Sequence, residues 1–400
     1  MTGAVPPPNI VYVLPDKMGG MMNIVRSLIA HRDRAGMPQH VVLTHNRVDA
    51  RDTRFAAPLG ADTQVTVEYA LPVENLHAVL RRLRRALPPG GGVLVSNDLL
   101  ELALLHVHDP GRMVVQILHG DHDYYYDLAE RHQAVIDVFV AYGRTMFETL
   151  RRRMPDRRDD ILHLPYGIPL PARARAAAPG PLRLLFSGRL EHGQKGVLDL
   201  PRIDAALAAR AVPRAWTIIG DGPDAERLRE AWPAATPAEW LGARGHDEVL
   251  ARLPDFDVFV LPTRAEGFPV ALVEAMAAGL VPVVSDITGG VPEVVDETTG
   301  YRPAVGDVAG FADAIAALAA DRARLDAMSR AARAAVARRF DARARAADYE
   351  ALFRQWRERR RPRPSTVPLP YGSRLDQPWI PNAVVRAIRT ASRRRLGKPV

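Results

Sequence analysis

The chain has 400 residues, of which 47% are hydrophobic and 25% are charged, a composition typical of a globular protein large enough for two domains. It contains no cysteine, which excludes disulfides, thiolate metal sites and cysteine nucleophiles. The formal net charge of +8 favours an anionic partner, but we find no interleaved basic and aromatic residues, zinc-ligand spacing or RNA-binding signature, and therefore expect no nucleic-acid partner.

Apolar runs alternate with amphipathic segments through the first part of the chain. After the first run comes a turn with Gly19 and Gly20, and the segment from Met22 to Gly36 has the pattern of a helix that ends at a glycine. Strands separated by helices indicate a parallel, doubly wound sheet. The predicted strands are Ile10–Leu14, His40–His45, Gly92–Asp98, Met113–Asp121 and Asp137–Gly143.

Between Leu164 and Gly180 the composition changes to Pro, Gly and Ala, which is typical of an interdomain linker. A second series of strands follows. We therefore predict an α/β protein with two Rossmann-like, doubly wound domains over residues 1–168 and 178–340, facing each other across a cleft, and a C-terminal part over residues 341–400. Ligands of such sheets bind at the carboxyl ends of the strands. The predicted strands are Leu182–Gly188, Ala215–Pro223, Asp257–Thr263 and Val281–Asp286.

Lysine is rare in this chain, so the lysine in the segment SGRLEHGQKG is informative. Arg189 and Lys195 follow a predicted strand in one loop, where two cations can bind a diphosphate; the alternative is a pair of surface charges. The segment IIGDGP, with Gly220 and Gly222, predicts a tight turn that lets the backbone approach a flat ligand such as a base. That second signal is weak by itself.

Two glutamates eight residues apart lie in the segment EGFPVALVEA. Pro269 suits the first turn of a helix that ends at a glycine, so the N–H groups near Val270 and Ala271 are expected to be free to bind an anion. Glu274 lies on the same helical face and suits the hydroxyls of a ribose. Glu266 precedes the helix and suits those of a sugar. The alternative is an exposed loop glutamate and a helix-face glutamate without function.

A histidine stands at the end of a predicted strand in the segment QILHGDHDYYYD. His119, with Asp121, His122 and Asp123, is open to three interpretations: metal ligands, a general base, or a polar loop. Tyr124, Tyr125 and Tyr126 add stacking surface suited to sugars.

Three segments together resemble the retaining, metal-independent glycosyltransferases of family 4, which have the GT-B fold. They are SGRLEHGQKGVLDL, IIGDGPDAERL and DVFVLPTRAEGFPVALVEAMAAGLVPVVSDITGGVPEVV, and the likeness runs from Leu182 to Tyr301. Tyr166 and Thr263 depart from the family pattern, which often has Asn and Ser there. The resemblance implies His119, Arg189, Lys195 and Glu266 as catalytic residues. With the residue patterns, it predicts donor binding by Gly19, Gly20, Arg189, Lys195, Gly220, Gly222, Gly267, Phe268, Pro269, Val270, Ala271 and Glu274.

The resemblance also implies the reaction. A hexosyl group passes from a nucleoside diphosphate sugar, such as a UDP or GDP sugar, to a glycan or lipid-linked acceptor with retained configuration, as in cell-envelope polysaccharide or glycolipid biosynthesis. It implies no metal and no cofactor. Residues 1–168 form the acceptor-side domain, residues 178–340 the donor domain, and the helices after Phe340 cross back to the first domain. The alternatives are a sugar-nucleotide epimerase of this fold, a non-catalytic nucleotide-sugar or glycan-binding protein and, from charge alone, a nucleic-acid binder.

The tail combines basic and apolar residues. Trp379 and Ile380 precede a basic helix with Val384, Ile388 and Ala391, which indicates an anchor for an anionic membrane surface; the alternative is a solvated basic surface. No uncharged apolar run approaches the length of a membrane span, and a basic leader is missing before the first apolar run. We therefore expect a cytoplasmic protein, either free or peripheral on the inner face of the membrane.

Overall fold

The computed structural model of the chain describes residues 7–17, 19–33, 36–49, 57–236, 238–363 and 367–395. The chain divides into two compact units. The first holds residues up to Tyr142, Phe147–Tyr166 and the chain from Arg343 onward; the second holds Gly143–Met146 and Gly167–Ala342. The end of the basic tail, residues 396–400 with Lys398, lies outside the described residues.

A parallel sheet forms the core of the first unit. Over the described residues it has seven strands in the order β3-β2-β1-β4-β5-β6-β7. The central strands are apolar runs that are buried along most of their length, as strands covered on both faces must be. Their bounds are β1 Asn9–Pro15, β2 Gln39–Asn46, β3 Thr63–Tyr69, β4 Gly92–Ser96, β5 Arg112–Ile117, β6 Val138–Ala141 and β7 Ile161–His163.

Helices alternate along the chain with most of these strands, as the sequence predicts. They are α1 Gly20–Ala30, α2 Leu76–Ala86, α3 Leu99–Val107, α4 Asp123–His132 and α5 Arg144–Arg153, with 3-10 turns at Gln133–Val135 and Pro155–Asp160. The prediction that the first helix extends to Gly36 is wrong, because α1 ends at Ala30. Beyond it the Asp33 N–H donates to Glu350 Oε1 at 2.8 Å instead of continuing the helix.

The second unit has its own parallel sheet, whose five strands within the described residues have the order β10-β9-β8-β11-β12. The strand bounds are β8 Leu182–Ser187, β9 Arg214–Ile219, β10 Ala238–Gly242, β11 Val258–Leu261 and β12 Val281–Val284. The helix bounds are α6 His192–Lys195, α7 Leu200–Ala209, α8 Ala225–Glu230, α9 His246–Arg252, α10 Val270–Ala278, α11 Val291–Val294, α12 Val308–Ala320 and α13 Arg322–Phe340, with 3-10 turns at Val197–Asp199 and Leu253–Asp255. The predicted fold class, α/β with two doubly wound parallel sheets, is confirmed.

The chain after Arg343 packs on the first unit. It forms α14 Ala342–Arg354, α15 Trp356–Arg359 and α16 Asn382–Arg395. Tyr349 donates from its hydroxyl to the Leu164 carbonyl at 3.1 Å, and the Phe353 ring meets Tyr12 edge-on. No helix in the described part of the chain combines the length and apolar character that a membrane crossing requires.

Candidate active site

The carboxyl ends of the strands in the second unit carry most of the predicted site residues. β8 pairs with β9 on one side and with β11 on the other. The chain therefore leaves β8 in one direction and returns to its opposite side, which makes the β8–β11 boundary the topological switch point where open α/β sheets bind ligands. Lys195 ends the short helix α6 in the connection after β8, and Glu266 lies in the loop after β11. These oppositely charged residues flank the switch point.

Lys195 and Glu266 form an ion pair across this boundary, with Lys195 Nζ 2.7 Å from Glu266 Oε1. The two side chains are only 20% and 6% exposed, respectively. The Thr263 hydroxyl donates to the same carboxylate oxygen at 3.0 Å. An enclosed carboxylate requires such partners, because an unpaired charge in this environment is costly. The structure thus places the two residues in direct contact and gives Thr263 a role in holding them.

Gly196 explains how the two loops approach so closely. It has φ 66°, and a Cβ at this position would lie 1.8 Å from the Pro262 carbonyl oxygen. The neighbouring backbone is also joined, since the Arg264 N–H donates to the Gln194 carbonyl at 2.7 Å. Glycine is therefore required here by both the left-handed backbone and the contact.

Arg189 differs from Lys195 in its surroundings. Its side chain is 67% exposed, and its nearest carboxylate is Glu191, with Arg189 NH1 3.9 Å from Glu191 Oε2. An exposed pair at this distance contributes little stability. Arg189 can therefore turn to a ligand at small cost, and its predicted contact with a diphosphate stays a prediction.

The glycines of the IIGDGP turn have a packing role. A Cβ on Gly220 would lie 1.9 Å from the Gly188 carbonyl oxygen, and one on Gly222 would lie 2.5 Å from the Leu190 carbonyl oxygen. The two loops are joined by the Leu190 N–H, which donates to the Asp221 carbonyl at 2.9 Å. The glycines therefore let the loop after β9 support the loop that carries Arg189. A contact between Gly220 or Gly222 and a base stays a prediction.

At the start of α10 the hydrogen bonding differs from the sequence prediction. Pro269 has φ −82° and ψ 76°, close to an inverse γ-turn, and the Val270 N–H donates to the Phe268 carbonyl at 3.0 Å. The expectation of a free N–H at Val270 is therefore wrong, because the turn at Pro269 uses it. The Ala271 N–H has no hydrogen-bond partner among the described residues. The segment is supported from outside by Gly290, where a Cβ would lie 3.1 Å from the Gly267 carbonyl oxygen.

Glu274 lies one turn into α10 and has a partner that the sequence does not reveal. Its Oε1 is 2.7 Å from Nε2 of His246, at the start of α9, and the two side chains are 8% and 19% exposed, respectively. His246 follows β10 and is thus also at a strand end. The strand-end rule alone could have identified it, but β10 is half-exposed and has no continuous apolar run. The imidazole fixes the orientation of the Glu274 carboxylate.

In the first unit, His119 follows β5 and both of its ring nitrogens are engaged. Asn97 Oδ1 lies 2.8 Å from Nε2, and the Tyr142 hydroxyl lies 2.9 Å from Nδ1. Asn97 donates its amide Nδ2 to the Val13 carbonyl, so its Oδ1 accepts from His119 Nε2–H and Tyr142 donates to Nδ1. Burial lowers the pKa of His119 to about 3. The imidazole is therefore neutral at pH 7, and its catalytic role stays a prediction.

The metal-ligand interpretation of this loop has no geometric support. Among the residues described, no three His, Asp or Glu side chains converge in a way that could hold a metal ion. Tyr126 donates from its hydroxyl to Asp121 Oδ1. Gly19 is the N-cap residue of α1 and Gly20 is its first residue, in the connection that follows β1. β1 and β4 flank the switch point of the first sheet.

Comparison with known proteins shows what the second unit is similar to. Residues 181–321 match the family of glycosyl transferases group 1. The putative colanic acid biosynthesis glycosyltransferase WcaL of Salmonella typhimurium is 39% identical over 123 residues, which are 28% of this chain and 30% of that protein. The glycogen synthase of Mycobacterium tuberculosis is 35% identical over 126 residues, 30% of this chain and 29% of that protein. The chain thus spans about a third of the length of the curated relatives it matches.

Solved structures extend the likeness to the whole fold. HepE from Anabaena in complex with UDP is 15% identical, with a TM-score of 0.67 over 86% of this chain and 99% of that chain. Sucrose-phosphate synthase from Thermosynechococcus elongatus is 19% identical, with a TM-score of 0.66 over 87% of this chain and 98% of that chain. At these identities the likeness establishes the fold, which is that of GT-B glycosyltransferases. Residues 181–321 of the second unit are thus similar to the group 1 glycosyl transferases.

Proposed function

We propose that the chain is a retaining, metal-independent glycosyltransferase of family 4 that moves a hexosyl group from a nucleoside diphosphate sugar to a glycan or lipid-linked acceptor. The observation that carries the proposal is the Lys195–Glu266 pair at the switch point of the second sheet. It lies inside the segment that matches the group 1 family. A cation and a carboxylate at this position are suited to a ligand with both a diphosphate and sugar hydroxyls.

The proposed mechanism assigns one task to each group. As the diphosphate leaves, negative charge develops on its oxygens, and the cations of Lys195 and Arg189 stabilise it. Glu266 accepts hydrogen bonds from the hydroxyls of the transferred sugar, and Glu274, oriented by His246, accepts those of the ribose. The Ala271 N–H at the start of α10 adds a backbone donor for the diphosphate. In this scheme the protein's own cations compensate the leaving charge without a metal ion.

Several relatives support the donor and acceptor classes. A solved structure of Anabaena HepE holds UDP-glucose, and a relative from Corynebacterium glutamicum, 36% identical over 105 residues, is a GDP-mannose-dependent alpha-mannosyltransferase. WcaL is named for colanic acid biosynthesis. We therefore propose a UDP or GDP sugar as donor and a role in cell-envelope polysaccharide or glycolipid biosynthesis.

The donor is tested by thermal shift of the purified chain with UDP, GDP, ADP, TDP and their sugar conjugates, without added metal. A ligand at about 100 times its Kd raises the free energy of unfolding by about 2.7 kcal/mol. We expect a shift with one nucleotide family that is lost in Lys195→Ala and kept in Arg227→Ala, whose side chain is exposed beside Asp224. No shift with any nucleotide would overturn the proposal. Isomerised donor in the absence of acceptor would identify an epimerase instead.

We further propose that the protein is cytoplasmic and binds the anionic inner face of the membrane through the tail. The apolar side chains of Trp379, Val384 and Ile388 are 74%, 47% and 47% exposed, respectively, and the last turn of α16 carries Arg393, Arg394 and Arg395. Exposed apolar groups beside a basic cluster suit an interface with anionic lipid.

Sedimentation with phosphatidylglycerol vesicles tests the membrane proposal. The double variant Trp379→Ser, Ile388→Ser should sediment less than the wild type. Val305→Ser, which changes a side chain of similar exposure in the second unit, should behave like the wild type. Equal sedimentation of the double variant and the wild type would contradict a tail anchor.

A further inference from the structure

A pocket in the first unit is lined by none of the predicted catalytic or donor-binding residues, although it includes Tyr124. It has a volume of about 620 Å³, within the range of small-molecule sites. Its floor is at the carboxyl ends of β2, β3 and β4, where Thr44, Tyr69 and Asp98 line it. The sheet order β3-β2-β1-β4 places these ends along one edge of the sheet, which is where ligands of parallel sheets bind.

The chain between Val367 and Arg395 supplies one wall of this pocket, through Tyr371, Ser373, Asp376 and Arg389. Hydrogen bonds join this wall to the start of α2 and to the residue before it. The Leu76 N–H at the start of α2 donates to Asp376 Oδ1 at 2.8 Å, and Asn75 Nδ2 donates to the Gln377 and Ile380 carbonyls at 2.9 and 2.8 Å. A carboxylate at a helix N-terminus is a favourable contact. The wall is therefore part of the folded first unit.

Three tyrosines determine the chemistry of the interior. Tyr69, Tyr124 and Tyr371 line the pocket together with Leu71, Pro72 and Leu99. Tyr371 donates to the Leu99 carbonyl at 3.2 Å, which holds its ring in the wall. Aromatic rings of this kind offer flat apolar faces with polar edges. Such a surface accepts a ring whose own faces are apolar and whose edge carries hydroxyls.

The charged groups of the pocket disfavour the binding of an anionic ligand. The cation of Arg389 is already engaged, since it lies 2.7 Å from Asp376 Oδ2 and also donates to the Ser373 hydroxyl. Asp98 adds a carboxylate, and its Oδ1 accepts from the Tyr124 hydroxyl at 3.3 Å. Burial raises the pKa of Asp98, so a further donor from a ligand hydroxyl would offset the cost of its charge.

We propose that this pocket binds a neutral sugar ring of the glycosyl acceptor, with its apolar face on the tyrosines and a hydroxyl donating to Asp98. The assignment as an acceptor rests on the proposed transferase function. Asp98 follows Asn97, which holds His119 at 2.8 Å, so the pocket adjoins the predicted strand-end histidine within the same unit. The chain after Val367 thereby becomes part of the acceptor site.

Saturation-transfer NMR of the full chain tests the pocket with defined probes: methyl β-D-glucopyranoside, methyl α-D-mannopyranoside and methyl N-acetyl-β-D-glucosaminide, with 1-octanol as an alkyl chain without a sugar. We expect transfer to at least one glycoside. Asp98→Asn and Tyr371→Ala should weaken its binding about tenfold or more, since each removes a direct contact. Tyr371→Phe should retain binding because the ring remains. Val107→Ser, which changes an exposed side chain of the same unit outside the pocket lining, should match the wild type.

A blocking variant keeps the proposal testable if Tyr371→Ala does not fold. Leu99 lines the pocket and is 37% exposed, so Leu99→Trp can fill the space without disturbing the core and should abolish glycoside binding. Glycoside binding that is unchanged in Asp98→Asn and Leu99→Trp, or binding of 1-octanol alone, would overturn the assignment. Nucleotide thermal shifts on the same samples separate the two hypotheses: their absence would overturn the transferase function, whereas their presence without glycoside binding would overturn only the pocket.

Discussion

Lys195 and Glu266 neutralise each other in an ion pair, with Nζ and Oε1 2.7 Å apart and the Glu266 side chain 6% exposed. A ligand diphosphate that binds Lys195 must share the ammonium with this carboxylate, which the Thr263 hydroxyl also holds. Under the proposed function, the two residues make different contributions to nucleotide binding. Lys195 would attract the diphosphate, whereas Glu266 would compete with it for Lys195 and become favourable only when a sugar is present.

We predict that only one of the two substitutions weakens nucleotide binding. Lys195→Ala removes a charged contact worth about 1.5–3 kcal/mol and should weaken diphosphate binding by about tenfold or more. Glu266→Ala removes the competitor, so the affinity for the nucleotide diphosphate should be unchanged or tighter. Turnover of the nucleotide sugar should nevertheless fall, by about 10² or more if Glu266 contacts the sugar in the transition state. Calorimetric titration and steady-state kinetics measure the two quantities.

Arg202→Ala is a matched control for these variants, because Arg202 pairs with a carboxylate in the same unit but is 66% exposed. It should leave both affinity and turnover unchanged. Wild-type turnover in Glu266→Ala, or equal losses of nucleotide affinity in Lys195→Ala and Glu266→Ala, would show that the pair is structural.

We predict that His246 positions Glu274 for a ribose. Glu274→Ala should weaken nucleotide binding and abolish the preference for UDP over 2′-deoxy-UDP, because the carboxylate is the proposed acceptor of the ribose hydroxyls. His246→Ala should raise the KM for the donor several-fold with little change in kcat, since the imidazole acts only through Glu274. His246→Gln should restore most of the affinity by donating from its amide. A preference for the ribose nucleotide that persists in Glu274→Ala would disprove this role.

Gly196 and Gly242 form a matched pair for the backbone of the second unit. Their φ angles are 66° and 67°, so alanine at either position bears the same left-handed strain, about 1 kcal/mol. A Cβ at Gly196 would lie 1.8 Å from the Pro262 carbonyl oxygen, whereas one at Gly242 would have no atom within 4 Å. Gly196→Ala should therefore lower the free energy of unfolding well beyond Gly242→Ala, and it should also weaken nucleotide binding because Lys195 moves. Equal urea midpoints for the two variants would mean that the segments around Gly196 and Pro262 can move apart without a cost in stability.

Local patterns in the sequence predicted the central strands and the loops at their ends, because a buried parallel strand is a continuous apolar run followed by a turn. Three strands were not predicted. β3 is largely exposed and β10 is only partly buried, so both lack such a run, and β7 has only three residues. The loops that carry Lys195 and Glu266 were predictable individually, and the rule on strand ends indicated that they meet.

The partners of the site residues could not be predicted in the same way. The contact of His246 with Glu274, of Asn97 with His119 and of Asp376 with the start of α2 each depends on how distant segments pack. A polar residue in a loop has no periodicity that reveals its partner. The pocket wall after Val367 is the clearest case, because the sequence there indicated only a basic tail.

Glu101 has a buried carboxyl group in α3. Its Oε1 accepts from the Ser96 hydroxyl and from the N–H groups of Asn97 and Asp98, at 3.0, 2.7 and 2.7 Å, while its Oε2 has no partner among the described residues. Burial, together with the nearby Asp98 carboxylate, raises the pKa of Glu101 to about 8 from an ordinary value of 4.5. The folded state therefore favours the protonated form.

Because the pKa of Glu101 is raised in the folded state, the fold loses stability as the pH rises. Between pH 4.5 and about 8 the unfolded chain releases the proton while the folded chain retains it, so each pH unit destabilises the fold by about 1.4 kcal/mol. Glu101→Gln reproduces the neutral form and removes this dependence. In urea titrations at pH 5, 6.5 and 8 the variant should gain stability over the wild type as the pH rises, whereas Glu148→Gln, at an exposed position in α5, should follow the wild type. A constant difference across the series would mean that the three donors to Oε1 keep the carboxylate ionised in spite of its burial.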